Sequence, residues 1–362
     1  MKSDMKPSSF IISGGGTGGH IFPAIAIGQA LRDRYPDAVI EFVGASDRME
    51  MQKVPEAGFK IHGLWISGIQ RKLTLSNLMF PIKVLVSLIK SLFILAKIKP
   101  KVVIGVGGFA SGPLLFVANL IGVPTLIQEQ NSYPGITNKI LAGRVKKICV
   151  AFDNMERFFP KDKIVLTGNP IRQDILKSET SKTDAKIFFG LVPERKSILI
   201  IGGSLGARTI NLSVAKGLSE LEDAGIDILW QTGKFYNEQH VVKGRQTQFI
   251  KEMDLAYASA DLVISRAGAS SLSEICALGK PSILVPSPNV AEDHQTKNAM
   301  ALAEKKAAIV IRDKESEELL IVKSIELLKN AATLDELAKN ALHLARPEAT
   351  ERILEEIIKL IK

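Results

Sequence analysis

The chain has 362 residues and a mass of 39.4 kDa, which is larger than a single hydrophobic core usually grows, so we expect two domains. Its composition, 46% hydrophobic, 23% charged and 6% aromatic, excludes a disordered, collagenous or coiled-coil protein. The two cysteines, Cys149 and Cys276, lie in apolar runs and are too few for a disulfide framework or a cysteine-based zinc site. We expect them to be core thiols in a reducing compartment.

The positive charge is concentrated in the first part of the chain. The net charge is +9, and residues 1–150 contain 18 Lys and Arg against 8 Asp and Glu, whereas the remaining residues contain 29 and 30. This asymmetry predicts a surface for phosphate groups, nucleic acid or anionic lipid in the first half. Nucleic acid is not expected as a partner, because no stretch interleaves aromatic and basic residues.

Short apolar runs alternate with helical patterns along the whole chain, which predicts parallel sheets with helices on both faces. The predicted elements of the first half are strands Ser9–Ser13, Val39–Val43, Val102–Ile104, Thr125–Ile127 and Lys163–Leu166, with helices over Pro23–Arg34 and from about Pro113. Those of the second half are strands Ser197–Ile201, Asp227–Gln231, Leu262–Ser265 and Ser282–Val285, with helices Asn211–Glu222 and Leu272–Leu278. Turn residues at Thr167–Pro170 predict the boundary between two α/β domains.

The segment Leu78–Lys99 is apolar enough to suggest a transmembrane helix, but four lysines interrupt it. Three of them, Lys83, Lys90 and Lys97, are seven residues apart and therefore share one stripe of a helix. This pattern fits a core helix whose lysines reach solvent as well as a helix lying on an anionic membrane surface, and both interpretations stay open. Because Met1–Ser8 is polar, no signal peptide is expected.

Three glycine clusters each follow a predicted strand and precede a predicted helix, where backbone N–H groups and the helix dipole meet an anion. They lie at Gly14–Gly19, Gly105–Gly112 and Gly202–Gly206. The first matches G-x-G-x-x-G, the fingerprint of dinucleotide-binding sites. Such sites also have an acidic residue at the end of the second strand to bind the ribose, whereas here Gly44, Ala45 and Ser46 follow that strand, which disfavours a dinucleotide site. Tight turns alone explain one such cluster better than three, so we expect phosphate or sugar groups to bind here.

The second half adds polar residues at two further strand ends. The run Ser265–Glu274 follows a strand and opens a helix, and Ser271 and Glu274 have the spacing of a capping box. A carboxylate in that first turn can also accept both hydroxyls of a ribose. A second polar group, Glu292–Asn298, follows the strand Ser282–Val285, at the edge where parallel sheets bind ligands.

Taken together, these motifs resemble the MurG family of bacterial peptidoglycan glycosyltransferases. They are GGGTGGHIFPAIAI at 14–27, GVGGFASGP at 105–113, EQN at 129–131, GNPIR at 168–172, GGSLGA at 202–207, and SRAGASSLSE at 265–274 with HQTKNA at 294–299. The resemblance implies a GT-B fold of two Rossmann-like α/β domains around a cleft. Residues 1–168 would face the acceptor and membrane, residues 169–345 would bind the donor, and a last helix at about 346–362 would pack back on the first domain.

The resemblance also implies a reaction. It is the inverting transfer of N-acetylglucosamine from UDP-N-acetylglucosamine (UDP-GlcNAc) to the C4 hydroxyl of undecaprenyl-pyrophosphoryl-MurNAc-pentapeptide (lipid I), which gives lipid II for peptidoglycan synthesis, cell shape and division. No cofactor and no metal are expected, since the sequence has no Asp-x-Asp pair. The enzyme would be peripheral, on the cytoplasmic side of the inner membrane, attached through Leu78–Lys99.

Site residues follow from the same resemblance, position by position. Thr17, Gly18, Gly19 and Asn131 would lie at the donor sugar and diphosphate; Arg172 and Ser204 would hold the diphosphate; Ile250 would contact uracil through its backbone; Ala269, Ser270, Ser271, Leu272, Ser273 and Glu274 would wrap diphosphate and ribose; and Gln295 would bond sugar hydroxyls. His294 departs from the glutamine of some members. His20 is the favoured general base, because imidazole titrates near neutral pH, and Glu129 is the reserve.

Two alternative functions stay open at this point. The donor motifs do not define the acceptor, so a related transferase could act on another lipid such as diacylglycerol. A UDP-GlcNAc epimerase of the same architecture would need neither the basic amphipathic helix nor a membrane.

Overall fold

The computed structural model describes residues 9–68 and 78–361. Met1–Ser8, on which the prediction about a signal peptide depends, lie outside these residues. The chain divides into two compact units: the first takes in the chain up to Pro170 together with the residues from Glu348 onwards, and the second comprises Ile171–Pro347. Each unit contains one parallel β-sheet.

The first unit is built on a seven-stranded sheet in the order β3-β2-β1-β4-β5-β6-β7. Its strands are β1 (Ser9–Gly14), β2 (Val39–Ala45), β3 (Lys60–Leu64), β4 (Val102–Gly107), β5 (Thr125–Glu129), β6 (Lys147–Val150) and β7 (Ile164–Leu166). Its helices are α1 (Gly18–Arg34), α2 (Glu50–Glu56), α3 (Phe80–Ile98), α4 (Ser111–Leu120) and α5 (Ile136–Leu141). Because β1 and β4 are almost wholly apolar and buried, they form the centre of the sheet.

The second unit has a six-stranded sheet in the order β10-β9-β8-β11-β12-β13. Its strands are β8 (Lys196–Ile201), β9 (Ile226–Gln231), β10 (Gly244–Thr247), β11 (Leu262–Ser265), β12 (Ser282–Leu284) and β13 (Ile309–Val310). Its helices are α6 (Gln173–Leu176), α7 (Lys182–Phe188), α8 (Arg208–Lys216), α9 (Leu218–Asp223), α10 (Met253–Ser259), α11 (Ala269–Ala277), α12 (His294–Ala303), α13 (Ser316–Leu328) and α14 (Ala331–Leu344).

The last helix, α15 (Ala349–Lys359), belongs to the first unit. Ile353 and Ile357 on this helix are fully buried and pack in one core cluster with Phe10, Ile12 and Ile104 of the central strands. Arg352 also donates a hydrogen bond to the carbonyl of Leu166 at 3.4 Å. The chain therefore leaves the first unit after Pro170 and returns to complete its core.

Most predicted elements are present, with differences at their ends. The first helix begins at Gly18 rather than Pro23, so the proline lies inside it and the glycine loop forms its first turn. The predicted helix Asn211–Glu222 is two helices that meet at Gly217, whose φ and ψ of −99° and 18° are not helical. Gly217 also packs closely on Ile321, where an added Cβ would lie 2.6 Å from Cγ1. The short strands β3, β6, β10 and β13 were not predicted. Cys149 and Cys276 are buried free thiols, as expected.

Helix α3 has one face packed on the protein and an apolar face on the opposite side that is exposed. Ser87, Ser91, Ile94 and Leu95 face the protein and are buried. The opposite face is solvent-exposed and apolar; it comprises Ile82, Leu85, Val86, Ile89, Leu92 and Phe93. Lys90 and Lys97 are exposed, whereas Lys83 donates to the Ser67 hydroxyl at 3.0 Å. Within residues 9–68 and 78–361, no helix combines the length and hydropathy needed to cross a bilayer.

Candidate functional site

Within each unit, most candidate site residues follow the carboxyl ends of strands at or beside the point where the strand order reverses. In the first unit this point lies between β1 and β4, which carry the first and second glycine clusters. In the second unit it lies between β8 and β11, which carry the third glycine cluster and the run Ser265–Glu274. Open parallel sheets bind ligands at such switch points.

The first two glycine loops are in direct backbone contact. The N–H of Gly15 donates to the carbonyl of Gly107 at 3.3 Å. Gly108 has a φ of +91°, and a Cβ on it would lie 2.6 Å from the carbonyl oxygen of Gly15. Glycine is therefore required here for close approach, and the turn leads directly into Thr17, Gly18 and Gly19 at the start of α1.

The buried carboxylate of Glu50 anchors the first glycine loop. Glu50 is 1% exposed; its Oε2 accepts from the N–H of Gly16 at 2.9 Å and its Oε1 accepts from the N–H of Ala45 at 3.0 Å. A Cβ on Gly15 would lie 2.1 Å from Glu50 Oε1, so glycine makes room for this carboxylate. Glu50 thus ties the loop after β1 to the end of β2.

His20 lies in the first turn of α1 and is partly buried. Its Nδ1 is 2.6 Å from Oε1 of Gln130, which follows β5. The imidazole is seated against Gly107, where an added Cβ would lie 2.7 Å from Nδ1. The second glycine loop therefore leaves space for the ring of His20.

Glu129 and Asn131 form part of a hydrogen-bonded turn beside this histidine. Oε1 of Glu129 accepts from the backbone N–H of Asn131 at 3.0 Å and from its side-chain amide at 3.2 Å. Oε2 accepts from the N–H of Gly135 at 3.2 Å and from Nδ2 of Asn138 at 2.7 Å. Both carboxylate oxygens of Glu129 are thus engaged in ordering the loop after β5.

The third glycine loop is packed on the end of β9. Gly206 has a φ of +88°, and a Cβ on Gly233 would lie 2.0 Å from the nitrogen of Gly206. Ser204, at the tip of the loop, is exposed. Gln231 joins this loop to Ile250: its amide donates to the carbonyl of Gly203 at 3.2 Å, and its oxygen accepts from the Ile250 N–H at 3.0 Å.

Helix α11 begins at Ala269, so the capping-box interpretation of Ser271 and Glu274 is wrong. Gly268 takes the N-cap position, with no side-chain cap, and places Ser271 inside the first turn. The first five residues of this helix are Ala269, Ser270, Ser271, Leu272 and Ser273. Of these, Ala269 and Leu272 are buried. The first turn therefore presents backbone N–H groups rather than a reciprocal cap.

Glu274 carries the most perturbed carboxyl of the site. Burial raises its pKa to about 7, against the opposing effects of a hydrogen bond from Tyr257 and the charge of Arg172. The Tyr257 hydroxyl donates to Oε2 of Glu274 at 2.9 Å, and Tyr257 itself is fully buried. Arg172 is half-exposed and paired with Asp174 at 2.5 Å.

Two further side chains complete the strand ends of the second unit. Gln295, at the start of α12, accepts the N–H of Ser287 at 2.9 Å through its Oε1, which turns its amide N–H groups outward from that turn. Arg266 donates to the carbonyls of Val285 and Pro286 and to Asp313, and so ties the end of β11 to β12. Among residues 9–68 and 78–361, no group of three or more His, Cys, Asp or Glu is arranged to hold a metal ion.

Sequence reasoning missed three side chains that order the site: Glu50, Gln130 and Tyr257. Glu50 and Gln130 also bond to nearby backbone, but the contacts that order the site join residues 34, 110 and 17 apart in the chain, which no local sequence pattern reveals.

Comparison with known proteins agrees with this geometry. Residues 10–150 match the glycosyltransferase family 28 N-terminal domain, and residues 197–353 match the glycosyltransferase family 28 C-terminal domain. A relative from Cytophaga hutchinsonii is 57% identical over 99% of this chain and 98% of its own length; one from Flavobacterium psychrophilum is 53% identical over 99% of both. Both are named UDP-N-acetylglucosamine--N-acetylmuramyl-(pentapeptide) pyrophosphoryl-undecaprenol N-acetylglucosamine transferase.

A solved structure supports the same assignment. The crystal structure of Acinetobacter baumannii MurG matches with a TM-score of 0.75 and 27% identity, over 98% of this chain and 100% of that one. Two parallel α/β units with glycine loops at both switch points are the architecture of GT-B glycosyltransferases. The chain belongs to glycosyltransferase family 28 and, within it, to the MurG family.

Replacing Glu50 tests whether its carboxylate holds the first glycine loop. In Glu50→Gln the side-chain oxygen can accept one N–H, but the amide nitrogen faces the other and leaves it unpaired. We expect the free energy of unfolding to fall by about 1–3 kcal/mol, measured by urea denaturation. Glu56→Gln, at an exposed position of the same helix, is the control and should change stability little; equal stability of both variants would contradict the role of Glu50.

Proposed function

We propose that this protein transfers N-acetylglucosamine from UDP-GlcNAc to the C4 hydroxyl of lipid I, forming lipid II and releasing UDP. The observation that carries the proposal is the 57% identity, over essentially the full length of both chains, with a relative named for this reaction. The bond between the sugar C1 and the diphosphate oxygen breaks, and a bond from C1 to the acceptor O4 forms with inversion. The acceptor proton passes to a base on the enzyme.

The donor binds, in this proposal, at the strand ends of the second unit. The first turns of α8 and α11 direct backbone N–H groups and the positive ends of their dipoles to the diphosphate, together with Arg172 and Ser204. Because the Ile250 N–H is already bound by Gln231, its carbonyl oxygen is the backbone group for a uracil N–H. Glu274 accepts ribose hydroxyls, and the outward amide of Gln295 donates to sugar hydroxyls.

The acceptor reacts at the glycine loops of the first unit. Thr17, Gly18, Gly19 and Asn131 line this side and contact the transferred sugar or diphosphate. His20 is the proposed base, because its imidazole lies at the start of α1 while both oxygens of Glu129 already accept N–H groups. Residues 1–168 with the last helix thus serve the acceptor, and residues 169–345 serve the donor.

The reaction is tested by UDP release from UDP-GlcNAc with a lipid-linked muramyl-pentapeptide analogue, diacylglycerol or no acceptor. We expect release with the muramyl acceptor alone. His20→Ala should lower kcat by about 10²–10⁴-fold, the range for loss of a general base, and leave the Kd for UDP-GlcNAc within a few-fold.

The controls separate the possible failures of this test. Glu129→Gln should disturb folding or loop order more than the chemical step, whereas an equal loss of turnover and donor affinity in His20→Ala would refute the base role. Release with diacylglycerol, or acceptor-independent conversion of UDP-GlcNAc, would refute the proposed reaction.

The raised pKa of Glu274 predicts a pH dependence of donor binding. Since the ionised carboxylate accepts ribose hydroxyls better, the Kd for UDP-GlcNAc should fall as pH rises through about 7, where the donor itself does not titrate. Tyr257→Phe removes a hydrogen bond that lowers this pKa, so it should shift the transition to higher pH. Isothermal titration between pH 5.5 and 8.5 measures both; the same transition in Glu274→Gln would contradict the assignment.

The enzyme works, in this proposal, at the cytoplasmic face of the inner membrane, attached through Leu78–Lys99. The exposed apolar face of α3 would enter the interface, and Lys83, Lys90 and Lys97 would contact anionic headgroups. Each basic side chain contributes roughly 1 kcal/mol at such a surface.

Charge reversal tests this attachment. The triple variant with Lys83, Lys90 and Lys97 changed to Glu should bind vesicles of phosphatidylglycerol and phosphatidylethanolamine at least about tenfold more weakly by co-sedimentation. The control reverses three exposed lysines of the second unit, Lys305, Lys329 and Lys339, and so has the same net charge. If both variants bind alike, α3 is not the anchor.

A further inference from the structure

Gln130 lies between the backbone of the second glycine loop and the ring of His20. It is 1% exposed. Its Nε2 donates to the carbonyl of Val106 at 2.8 Å and to the carbonyl of Gln128 at 3.0 Å, and it also contacts Oε1 of Gln128. Its Oε1 lies 2.6 Å from Nδ1 of His20.

These contacts fix which way the Gln130 amide points. Backbone carbonyls can only accept hydrogen bonds, so the side of the amide that faces Val106 and Gln128 must be the NH₂ group. The reversed amide would set its oxygen against carbonyl oxygens and leave a buried acceptor unpaired, at a cost comparable to a lost hydrogen bond. The amide oxygen therefore faces His20.

We propose that Gln130 is a positioning residue that holds His20 in the tautomer protonated at Nδ1, so that Nε2 carries the lone pair that takes the acceptor proton. An amide oxygen can only accept, so Nδ1 must donate to it, and a neutral imidazole has its second nitrogen free as a base. The inference rests on the proposed function, because it specifies the nitrogen at which the proposed base acts.

Gly107 supports the same arrangement. Its φ is +105°, and a Cβ there would lie 2.7 Å from Nδ1 and 2.8 Å from Cε1 of His20. The ring is thus seated against bare backbone on the side of Nδ1. The two carboxylates that order the neighbouring backbone, Glu50 and Glu129, both accept from N–H donors, and the partner of His20 is a neutral amide.

The tautomer can be measured without any enzymatic activity. Protein labelled with ¹⁵N-histidine contains five histidines, at 20, 62, 240, 294 and 343, and the His20→Asn variant assigns the signal of His20. In long-range ¹H–¹⁵N spectra of the unmodified protein, recorded at a pH at which histidine side chains are neutral, we expect His20 to have a protonated Nδ1 and an unprotonated Nε2. A protonated Nε2 would overturn the proposal.

Two variants then connect the tautomer to turnover. Gln130→Met removes the acceptor; His20 should shift towards the Nε2–H form, and kcat should fall at least about tenfold with KM for UDP-GlcNAc within about threefold. Gln130→Glu is nearly isosteric, and because one of its oxygens faces the carbonyls of Val106 and Gln128, its carboxyl must stay protonated to donate there. Its other oxygen can still accept from Nδ1 of His20, so this conservative variant should keep more of the parent kcat than Gln130→Met does. Gln128→Met, in the same buried network but without contact to His20, is the matched control.

The outcomes separate this proposal from the proposed reaction. An active parent whose kcat is unchanged by both Gln130 variants would refute the positioning role and leave the transferase intact. A parent without muramyl-dependent UDP release would refute the reaction, while the NMR tautomer would still confirm or refute the Gln130 contact. Equal loss in Gln128→Met and Gln130→Met, with an unchanged tautomer in both, would show a merely structural effect and refute the proposal.

Discussion

The structure depends above all on backbone-to-backbone contact between glycine loops at the strand ends. In the first unit Gly108 meets the carbonyl of Gly15, and in the second unit Gly233 meets the nitrogen of Gly206, at separations that exclude a Cβ. Because no side chains intervene, the loop backbones pack directly on one another at the switch point of each sheet, and they lead into the first turns of α1 and α8. In the proposed function, the backbone N–H groups of these first turns bind the phosphates, so the main chain supplies much of the donor site.

Loops made of glycine would be poorly ordered without side chains that anchor them from elsewhere. Each loop has such an anchor: Glu50 on the N–H of Gly16, Gln130 on the carbonyl of Val106, and Gln231 on the carbonyl of Gly203. All three side chains are buried near the carboxyl ends of the strands and bond to backbone groups. The conformational freedom of glycine is thus offset by hydrogen bonds that a ligand does not have to provide.

The glycine clusters, the central strands and the polar run Ser265–Glu274 were predictable because each belongs to a local pattern: an apolar run, then small residues, then a helix. The anchors were not, since Glu50 and Gln130 bond to groups that are distant in sequence. The start of α1 was misplaced because Pro23 is a strong signal for a first turn, whereas here the glycine loop itself is helical. The predicted capping box was wrong for a related reason. Gly268, and not Ser271, is the N-cap of the helix, and the carboxylate of Glu274 accepts a hydrogen bond from Tyr257 instead of capping the helix.

The return of α15 to the first unit gives the chain an order of assembly. The second unit is one continuous stretch, Ile171–Pro347, and its core is complete once that stretch has left the ribosome. The first unit, although most of it is translated earlier, lacks Ile353 and Ile357 until α15 has been synthesised, and until then Phe10 and Ile12 lack part of their packing. The first unit is therefore the later of the two to complete its core, and a chain without α15 would leave that core unfinished.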